Sequence, residues 1–305
     1  MSEGLAGGLE GRVVIVTGAG GGLGRTHALL LAERGAQVVV NDLGGGTDGT
    51  GDSTGAAQVV VDEIEAKGGV AVANRDSVST PEGAQAIVQT ALDTFGRVDG
   101  VVNNAGILRD RTLVKMTPQD LELVLDVHLK GTIYVSQAAF PHMKAQGLGR
   151  FVHTTSAAGI FGNFGQSNYS AAKLGICGFS RTLAEEGAKA NITSNVIAPL
   201  ALTRLTEELM GDLGQYLQPE LVSPLVVALL DPASTVSREV FSVGAGRYAR
   251  VFTGLTPGWT AERGAVPSPE DVAEHLGQIM DTEGFIIPER ATDEIALVAS
   301  ALGLG

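Results

Sequence analysis

Three side chains suited to proton transfer occur within one segment of the chain: Ser156, Tyr169 and Lys173. Tyr169 and Lys173 are four residues apart, so on a helix both would lie on one face. A free tyrosine has a pKa of ~10. Because a nearby ammonium favours the phenolate, we expect Lys173 to lower the pKa of Tyr169 towards neutrality. Ser156 could hold the reacting oxygen atom by a hydrogen bond, so the set predicts acid–base catalysis.

A glycine-rich segment near the start of the chain predicts a second function, dinucleotide binding. The apolar run Val13–Val16 leads into TGAGGGLG, residues 17–24, and then into a helical pattern. Glycines let the backbone approach a pyrophosphate, and a helix N-terminus offers free N–H groups and the positive end of a dipole. The residues that we expect at the cofactor here are Gly18, Gly22, Leu23 and Gly24. No Gly-Lys-Ser or Gly-Lys-Thr occurs in the segment, which argues against a Walker-type phosphate loop.

Asp42 ends the second apolar run, 24 residues after Gly18. A carboxylate there can accept hydrogen bonds from the ribose hydroxyls of NAD, and it would repel the 2′-phosphate of NADP. No Arg or Lys lies beside Asp42 to reverse that repulsion. NAD is therefore the predicted cofactor, and the alternative is an Asx turn that opens the following loop.

Residues at two further predicted strand ends could complete the cofactor site. Asp76 and Ser77 follow the third apolar run, where the carboxylate could meet the adenine edge or form a solvated turn. Asn104, Ala105 and Gly106 follow the fourth. Their small side chains leave room for a flat cofactor and Asn104 can tie strands together, although a plain turn is the alternative.

Apolar runs of strand length alternate along the chain with longer segments of helical period. The apolar runs are Val13–Val16, Gln37–Asn41, Val70–Ala73, Gly100–Val102, Phe151–Thr154, Ser194–Ile197 and Val240–Val243. The helical segments are Leu23–Arg34, Gly55–Lys67, Pro81–Phe95, Asp120–Gln146 and Asn168–Ala190. This alternation predicts an α/β fold: a single-domain, Rossmann-type, doubly wound parallel sheet of about seven strands with helices on both faces. The core should span about residues 11–245, with 246–305 as a C-terminal extension.

Composition excludes several other classes of protein. The formal net charge of −13 argues against nucleic acid as the main partner, although it allows a substrate with a few phosphates. The single cysteine, Cys177, lies in an apolar run, which favours a small core residue over a nucleophile, and it fits a reducing compartment. The five histidines show no metal-ligand spacing, so we expect no metal. Neither a signal peptide nor a membrane span is recognisable, so we expect a cytoplasmic protein.

The motifs together resemble those of the short-chain dehydrogenase/reductase family, TGxxxGxG, NNAG and Ser…YxxxK, over roughly Gly11 to Val243. The resemblance implies a nicotinamide cofactor that Tyr169 and Lys173 also contact, with Lys173 on the ribose. It places Pro199, at the end of the sixth run, near the same cofactor. It also implies a homodimer through the two long helices. The less regular segment after Pro199 usually shapes the substrate pocket in this architecture.

A narrower resemblance rests on VVNDLGG, VVNNAGILRDR, VHLKG and SAAGIFGNFGQSNYSAAKLG, and on the glycine-rich insertion after Asp42. These stretches are similar to the (3R)-hydroxyacyl-CoA dehydrogenase units of the type 2 peroxisomal multifunctional enzymes, the 17β-hydroxysteroid dehydrogenase type 4 group. The resemblance implies NAD-dependent oxidation of a (3R)-3-hydroxyacyl-CoA by a free-standing enzyme. Residues 44–55 would form a flap at the adenosine end of the site.

Two departures from the broad family affect the site. His128 stands where the family usually has an asparagine that supports a proton relay through a water and the lysine. His128 could keep that water through its backbone carbonyl, shape the relay with its ring, or only pack the helix. The family's Pro-Gly is Pro199-Leu200 here, which leaves a contact from Thr203 to the nicotinamide open.

Two other functions remain open at this level. The first is a related enzyme of the same fold that acts on a hydroxysteroid or on a 3-oxoacyl-carrier-protein. A carrier-protein reductase would more often prefer NADPH, which Asp42 opposes. The second is a catalytically silent NAD sensor, which could lose Tyr169 or Lys173 without consequence, yet both are present.

Overall fold

The structure, a computed structural model, describes residues 8–46, 48, 55–201 and 215–304. The chain divides into two compact units, Met1–Arg250 and Val251–Gly305. Most of the predicted flap 44–55 and Thr203 lie outside the described residues.

The first unit is built on an eight-stranded sheet with the strand order β3-β2-β1-β4-β5-β6-β7-β8. The strands are β1 (Val13–Thr17), β2 (Gln37–Asn41), β3 (Val70–Asn74), β4 (Gly100–Asn103), β5 (Gly149–Thr154), β6 (Ile192–Pro199), β7 (Val240–Gly244) and β8 (Arg247–Val251). Strands β1 to β7 pair in parallel. The chain runs on from β2 outwards to β3, and then returns to β4 on the other side of β1. This reversal of strand order leaves a crevice at the carboxyl ends of β1 and β4, where ligands bind in such sheets.

All seven predicted strands are present, which confirms the parallel α/β fold, and β8 is the strand that the sequence did not predict. Its residues Arg247–Val251 are mostly exposed, so they form no apolar run. Ala245 and Gly246 join it to β7 with φ values of 51° and 74°. Two consecutive left-handed residues are typical of the type I′ turn of a β-hairpin.

Helices cover both faces of the sheet. The helices of the first unit are α1 (Gly22–Glu33), α2 (Ala56–Ala66), α3 (Pro81–Phe95), α4 (Pro118–Leu125), α5 (Gly131–Gln146), α6 (Ala157–Phe161), α7 (Ser167–Gly187) and α8 (Ser223–Leu230). One apolar cluster joins the sheet to α1, α2 and α8, and the other joins it to α3, α5 and α7. In β1, Val14 faces the first cluster and Ile15 the second. Burial of each such side chain stabilises the fold by roughly 1.5–3 kcal/mol, and covering on both faces explains the near-continuous apolar runs.

The predicted helix Asp120–Gln146 is interrupted by a π-helical turn at Asp126–Lys130. The first part of this helix, α4, begins at Pro118, and the Thr117 side chain caps it by accepting a hydrogen bond from the Asp120 N–H. The π turn widens the helix at His128, and such turns occur frequently at functional sites. Apolar periodicity does not predict it, because the pattern on either side of the turn stays helical.

The second unit carries α9 (Pro269–Glu274), α10 (Leu276–Ile279) and α11 (Ala291–Ala301), with an isolated bridge between Leu255 and Ile286. Ser268 caps α9 by accepting a hydrogen bond from the Asp271 N–H. Trp259 stacks on His275 at a centroid distance of 4.1 Å. None of the described side chains from 251 to 304 is buried. Across the described part of the whole chain, no helix combines the length and apolar character needed to cross a membrane.

Candidate active site

The glycine segment turns sharply between β1 and α1 because its backbone packs against neighbouring backbone. Gly18 and Gly22 have left-handed φ values of 62° and 52°. A Cβ atom at Gly18 would lie 2.7 Å from the Ala105 Cα, and one at Gly24 would lie 2.2 Å from the Gly18 carbonyl oxygen. Gly21, which precedes α1, supplies no side-chain cap, so the first N–H groups of the helix have no side-chain acceptor there. A close backbone cradle with free N–H donors suits a pyrophosphate.

Asn104 and Thr17 bind the two loops of the crevice together. The Asn104 Nδ2 donates to the carbonyl oxygens of Thr17 and Gly18, each at 3.1 Å. The Thr17 Oγ1 accepts from the N–H groups of Asn104 and Ala105, again at 3.1 Å. A Cβ atom at Gly106 would lie 2.4 Å from the His128 ring, so this position needs a glycine. The NNAG turn is thus a fixed wall of the crevice.

Asp42 lies at the end of β2 and is held by two backbone donors. Its Oδ2 accepts from the Gly20 N–H and its Oδ1 from the Gly44 N–H, both at 2.8 Å. A carboxylate has about four lone-pair sites, so acceptors remain for two ribose hydroxyls. Arg25 of α1 is ion-paired with Glu63 of α2. The contact with the Gly44 N–H is the Asx turn that the sequence analysis gave as the alternative. The turn does not use all the lone pairs of the Asp42 carboxylate, so it is compatible with binding of ribose hydroxyls.

Asp76 and Ser77 lie in the loop that follows β3. The Asp76 Oδ2 accepts from the Asn74 Nδ2 at 2.7 Å, and its carbonyl oxygen accepts from Asn41 at 2.9 Å. The Ser77 hydroxyl contacts Ser79 at 2.8 Å. Asp76 is exposed, so one carboxylate oxygen remains available at the rim.

Ser156, Tyr169 and Lys173 meet at the carboxyl end of β5. Ser156 precedes α6, where its Oγ accepts from the Ala158 N–H at 3.1 Å, and its hydroxyl is hydrogen-bonded to Tyr169. Tyr169 and Lys173 share one face of α7, and the Lys173 Nζ lies 5.6 Å from the centre of the Tyr169 ring. Helix α6 approaches α7 closely at Gly159, where a Cβ atom would lie 2.5 Å from the Lys173 Cβ.

The Lys173 amine is buried at the end of β5. It donates to the Thr154 carbonyl oxygen at 2.7 Å, and the residue is 3% exposed. Burial lowers the pKa of Lys173 from 10.5 to about 7. The amine therefore changes charge near neutral pH.

Tyr169 differs from the sequence-based expectation of a lowered pKa. Burial raises the pKa of the Tyr169 phenol above its ordinary value, the hydrogen bond from Ser156 lowers it, and the charge of Asp110 raises it. The expected effect of Lys173 fails because the same burial lowers the lysine's own pKa, so its positive charge is only partly present near neutrality.

His128 lies in the π turn against Tyr169, at a ring-centroid distance of 5.1 Å and 86° between the planes. Its Nε2 is 2.7 Å from the carbonyl oxygen and 3.0 Å from the N–H of Ile107. Its Nδ1 is buried and has no hydrogen-bond partner among the described residues. Burial first, and the charge of Lys173 second, hold the pKa of His128 well below its usual value, so the imidazole is neutral.

Pro199 ends β6 beside β7, where Leu200 donates to the Val243 carbonyl oxygen at 2.7 Å. Leu23 is the second residue of α1. No cluster of His, Cys, Asp and Glu suited to a metal ion occurs among the described residues. Cys177 is buried one turn after Lys173, and burial raises the pKa of its thiol.

The sequence did not single out two residues that bear on Tyr169. Asp110 accepts from the Gln166 Nε2 at 2.8 Å and raises the pKa of Tyr169. Asn168 accepts from the Tyr169 N–H at 2.8 Å and donates to the Arg109 carbonyl oxygen at 3.0 Å. The position of Asn168 next to Tyr169 was the one sequence signal for its role. Its hydrogen bonds join segments far apart in the sequence, which apolar periodicity does not reveal.

A strand–glycine–helix cradle and a Ser–Tyr–Lys set, both at carboxyl ends of strands of one parallel sheet, define a dinucleotide-dependent oxidoreductase. The sequence model described as short chain dehydrogenase matches residues 12–212. The chain therefore belongs to the short-chain dehydrogenase family, and the family and fold imply a nicotinamide dinucleotide cofactor.

Known proteins similar to this chain support the same family. A Mycobacterium tuberculosis protein named as a short-chain type dehydrogenase/reductase is 50% identical over 278 residues, 91% of this chain and 96% of that protein. The peroxisomal multifunctional enzyme type 2 of Mus musculus is 48% identical over 295 residues. The match covers 96% of this chain but 40% of the mouse protein.

A solved structure of the full-length peroxisomal multifunctional enzyme type 2 from Drosophila melanogaster has a similar fold. The TM-score is 0.81 at 37% identity, with 96% of this chain and 50% of that chain covered. This chain thus spans half, or less, of the mouse and fly multifunctional enzymes.

Replacing Gly24 by alanine should weaken binding of the dinucleotide. The added Cβ atom would lie 2.2 Å from backbone and 2.6 Å from the Asn104 Nδ2, so the cradle must open. We expect the Kd of NADH, measured by its fluorescence, to rise at least about tenfold, or ~1.4 kcal/mol. Gly277→Ala in α10 is the control, since no atom lies within 4 Å of its added Cβ. Equal affinity in the two variants would show that the cradle does not hold the cofactor.

Proposed function

We propose that the protein oxidises a (3R)-3-hydroxyacyl-CoA to the 3-ketoacyl-CoA with NAD. The observation that carries the proposal is the phenol of Tyr169, which lies among Ser156, Lys173 and His128 next to the dinucleotide cradle. The similarity to (3R)-hydroxyacyl-CoA dehydrogenase units in VVNDLGG, VVNNAGILRDR and the insertion after Asp42 supports the choice of substrate. The net charge of −13 does not oppose it, because a CoA site needs only local basic groups.

Ser156 orients the substrate hydroxyl and Tyr169 takes its proton. The Ser156 Oγ accepts from Ala158 and has one proton to donate, which goes to Tyr169 in the free protein and would go to the reacting oxygen once substrate is bound. Tyr169 must lose its proton before it can act as the base, and its raised pKa makes that step the costly one. When bound, the nicotinamide of NAD accepts the hydride, and its positive charge favours the phenolate.

Lys173 holds the ribose and exchanges protons with Tyr169. One N–H of the amine goes to the Thr154 carbonyl oxygen, which leaves the others for ribose hydroxyls. With a pKa of about 7, the amine can both gain and lose a proton near neutral pH, as a relay group must.

His128 supports this relay through Nδ1. Its Nε2 is engaged by the backbone of Ile107, so the ring offers only the buried Nδ1 to a water. Such a water would link the relay to the lysine, which is the second of the alternatives raised by the sequence. The same ring packs against Tyr169. His128 can therefore have both a packing role and a role in the relay.

Turnover with defined substrates tests the proposal. NADH formation should occur with (3R)-hydroxyacyl-CoA and NAD, and Tyr169→Phe should lower kcat by at least about a thousandfold while the Kd of NADH stays within about twofold. Tyr248→Phe, an exposed tyrosine in β8, is the control and should keep its activity. Activity only with the S isomer, a hydroxysteroid or a carrier-protein thioester would reassign the substrate. Full turnover by Tyr169→Phe would remove the mechanism.

Asp42→Asn should shift the cofactor preference towards NADP. The substitution keeps the shape of the side chain and removes the charge that repels a 2′-phosphate. We expect the ratio of kcat/KM with NADP to that with NAD to rise about tenfold, or ~1.4 kcal/mol. Asp62→Asn on α2 makes the same change in net charge at an exposed site, and should leave the ratio unchanged. An unchanged ratio in Asp42→Asn would exclude Asp42 as the selector.

A further inference from the structure

A buried chain of hydrogen bonds crosses the sheet beneath the candidate active site. The Asn103 Nδ2 lies 3.0 Å from the Ser136 Oγ and 3.0 Å from the His153 Nδ1. The His153 Nε2 lies 3.1 Å from the Ser194 Oγ, which lies 2.8 Å from the Ser180 Oγ. None of the five residues is more than 4% exposed. The two ends of this hydrogen-bond chain are Ser136 on α5 and Ser180 on α7.

The bonding pattern assigns one proton arrangement to this chain. The Ser136 hydroxyl donates to the Thr132 carbonyl oxygen at 2.7 Å, so towards Asn103 it can only accept. Asn103 therefore presents its amide nitrogen, and its second proton goes to the His153 Nδ1. Nδ1 is then an acceptor, which places the ring proton on Nε2. The Ser194 hydroxyl accepts from Nε2 and donates to Ser180.

This arrangement requires a neutral imidazole at His153. A proton on Nδ1 would face the amide protons of Asn103, and two donors would then oppose each other. The ring lies between Phe151 and Phe179, at centroid distances of 5.9 Å and 5.7 Å. Burial lowers the pKa of His153 to about 3, which agrees with the geometry.

Each strand or helix that the chain of hydrogen bonds joins also carries, or adjoins, a residue of the candidate site. Asn103 of β4 precedes the NNAG contacts of Asn104, and β6, which holds Ser194, ends at Pro199. His153 of β5 immediately precedes Thr154, whose carbonyl oxygen accepts from the Lys173 Nζ. Helix α7 carries Tyr169 and Lys173, and α5 follows the π turn of His128. The described residues contain no second side chain that bonds directly to both β4 and β6.

We propose that His153 is a positioning residue for catalysis. Its two hydrogen bonds join the carboxyl ends of β4 and β5, at Asn103 and His153, to the first half of β6 at Ser194. The Thr154 carbonyl oxygen is thereby held where it accepts from Lys173, and that contact sets where the amine lies beside Tyr169. The turnover part of this inference rests on the proposed dehydrogenase function, whereas the effect on Lys173 does not.

His153→Phe tests the role because it keeps a buried ring and removes both hydrogen bonds. We expect kcat to fall at least about tenfold while the Kd of NADH stays within about twofold, since His153 makes no hydrogen bond to the glycine segment itself. His153→Gln retains a donor for Ser194 and should recover kcat at least about threefold over His153→Phe. A kcat within about twofold of the unmodified protein in His153→Phe would overturn the proposal.

His27→Phe is the matched control. His27 on α1 is also fully buried and its pKa is also about 3, but its single hydrogen bond goes to Ser223 of α8, at 2.8 Å, on the other face of the sheet. Both variants should lose stability to urea. Only His153→Phe should lose turnover, so an equal loss of kcat in both would reduce His153 to a fold-stabilising residue and overturn the proposal.

Two measurements test the inference without turnover, and so separate its failure from failure of the proposed function. Nitrogen NMR of labelled histidine should show the His153 ring neutral, with its proton on Nε2, from pH 5 to 8. The ¹³Cε titration of Lys173, assigned with Lys173→Met, should move by at least about half a pH unit in His153→Phe and stay in place in His27→Phe. A protonated ring, the other tautomer, or an unmoved Lys173 midpoint would each contradict the proposal.

Discussion

Burial of the Lys173 amine against the Thr154 carbonyl oxygen is the constraint on which the rest of the site depends. The contact places a titrating amine at the end of a central strand, 5.6 Å from the Tyr169 ring centre, with its pKa lowered to about 7. The same burial raises the pKa of Tyr169. The pair is therefore not a fixed ammonium beside a phenolate. It is a neutral phenol beside an amine that gains or loses its proton near neutrality. A positive charge brought by the cofactor would lower the pKa of both groups, and so would favour the phenolate that acts as the base.

The fold supplies that burial because every site residue follows the carboxyl end of a parallel strand or lies on a helix packed there. Gly18 and Gly24 allow contact distances that no other residue permits, which brings the cradle against Asn104. Gly159 does the same for α6 against α7, and so sets Ser156 beside Tyr169. Hydrogen bonds of Asn104 and Asn103 then tie the cradle and the catalytic strand to one framework.

Much of this organisation could be predicted from the sequence. Strands covered on both faces give apolar runs, so all seven parallel strands were predicted, and glycine positions and YxxxK spacing predicted where the site lies. The edge strand β8 was missed because its residues are mostly exposed. The π turn at His128 was missed because apolar spacing does not show one extra residue in a helix turn.

The predicted direction of the Tyr169 pKa shift was wrong, since spacing brings Lys173 close but does not report how deeply both groups are buried. The chain through His153 joins residues up to 91 positions apart and depends on proton positions that no local pattern encodes.

An ultraviolet titration of the Tyr169 phenol in the dinucleotide-free protein tests the central claim most directly. The difference between the unmodified protein and Tyr169→Phe isolates this one phenol among the four tyrosines. If burial dominates, Tyr169 gives no phenolate signal until the pH exceeds the ordinary tyrosine pKa of ~10. A phenolate that forms near neutral pH without cofactor would contradict the account, because it would show that the charge of Lys173 outweighs burial.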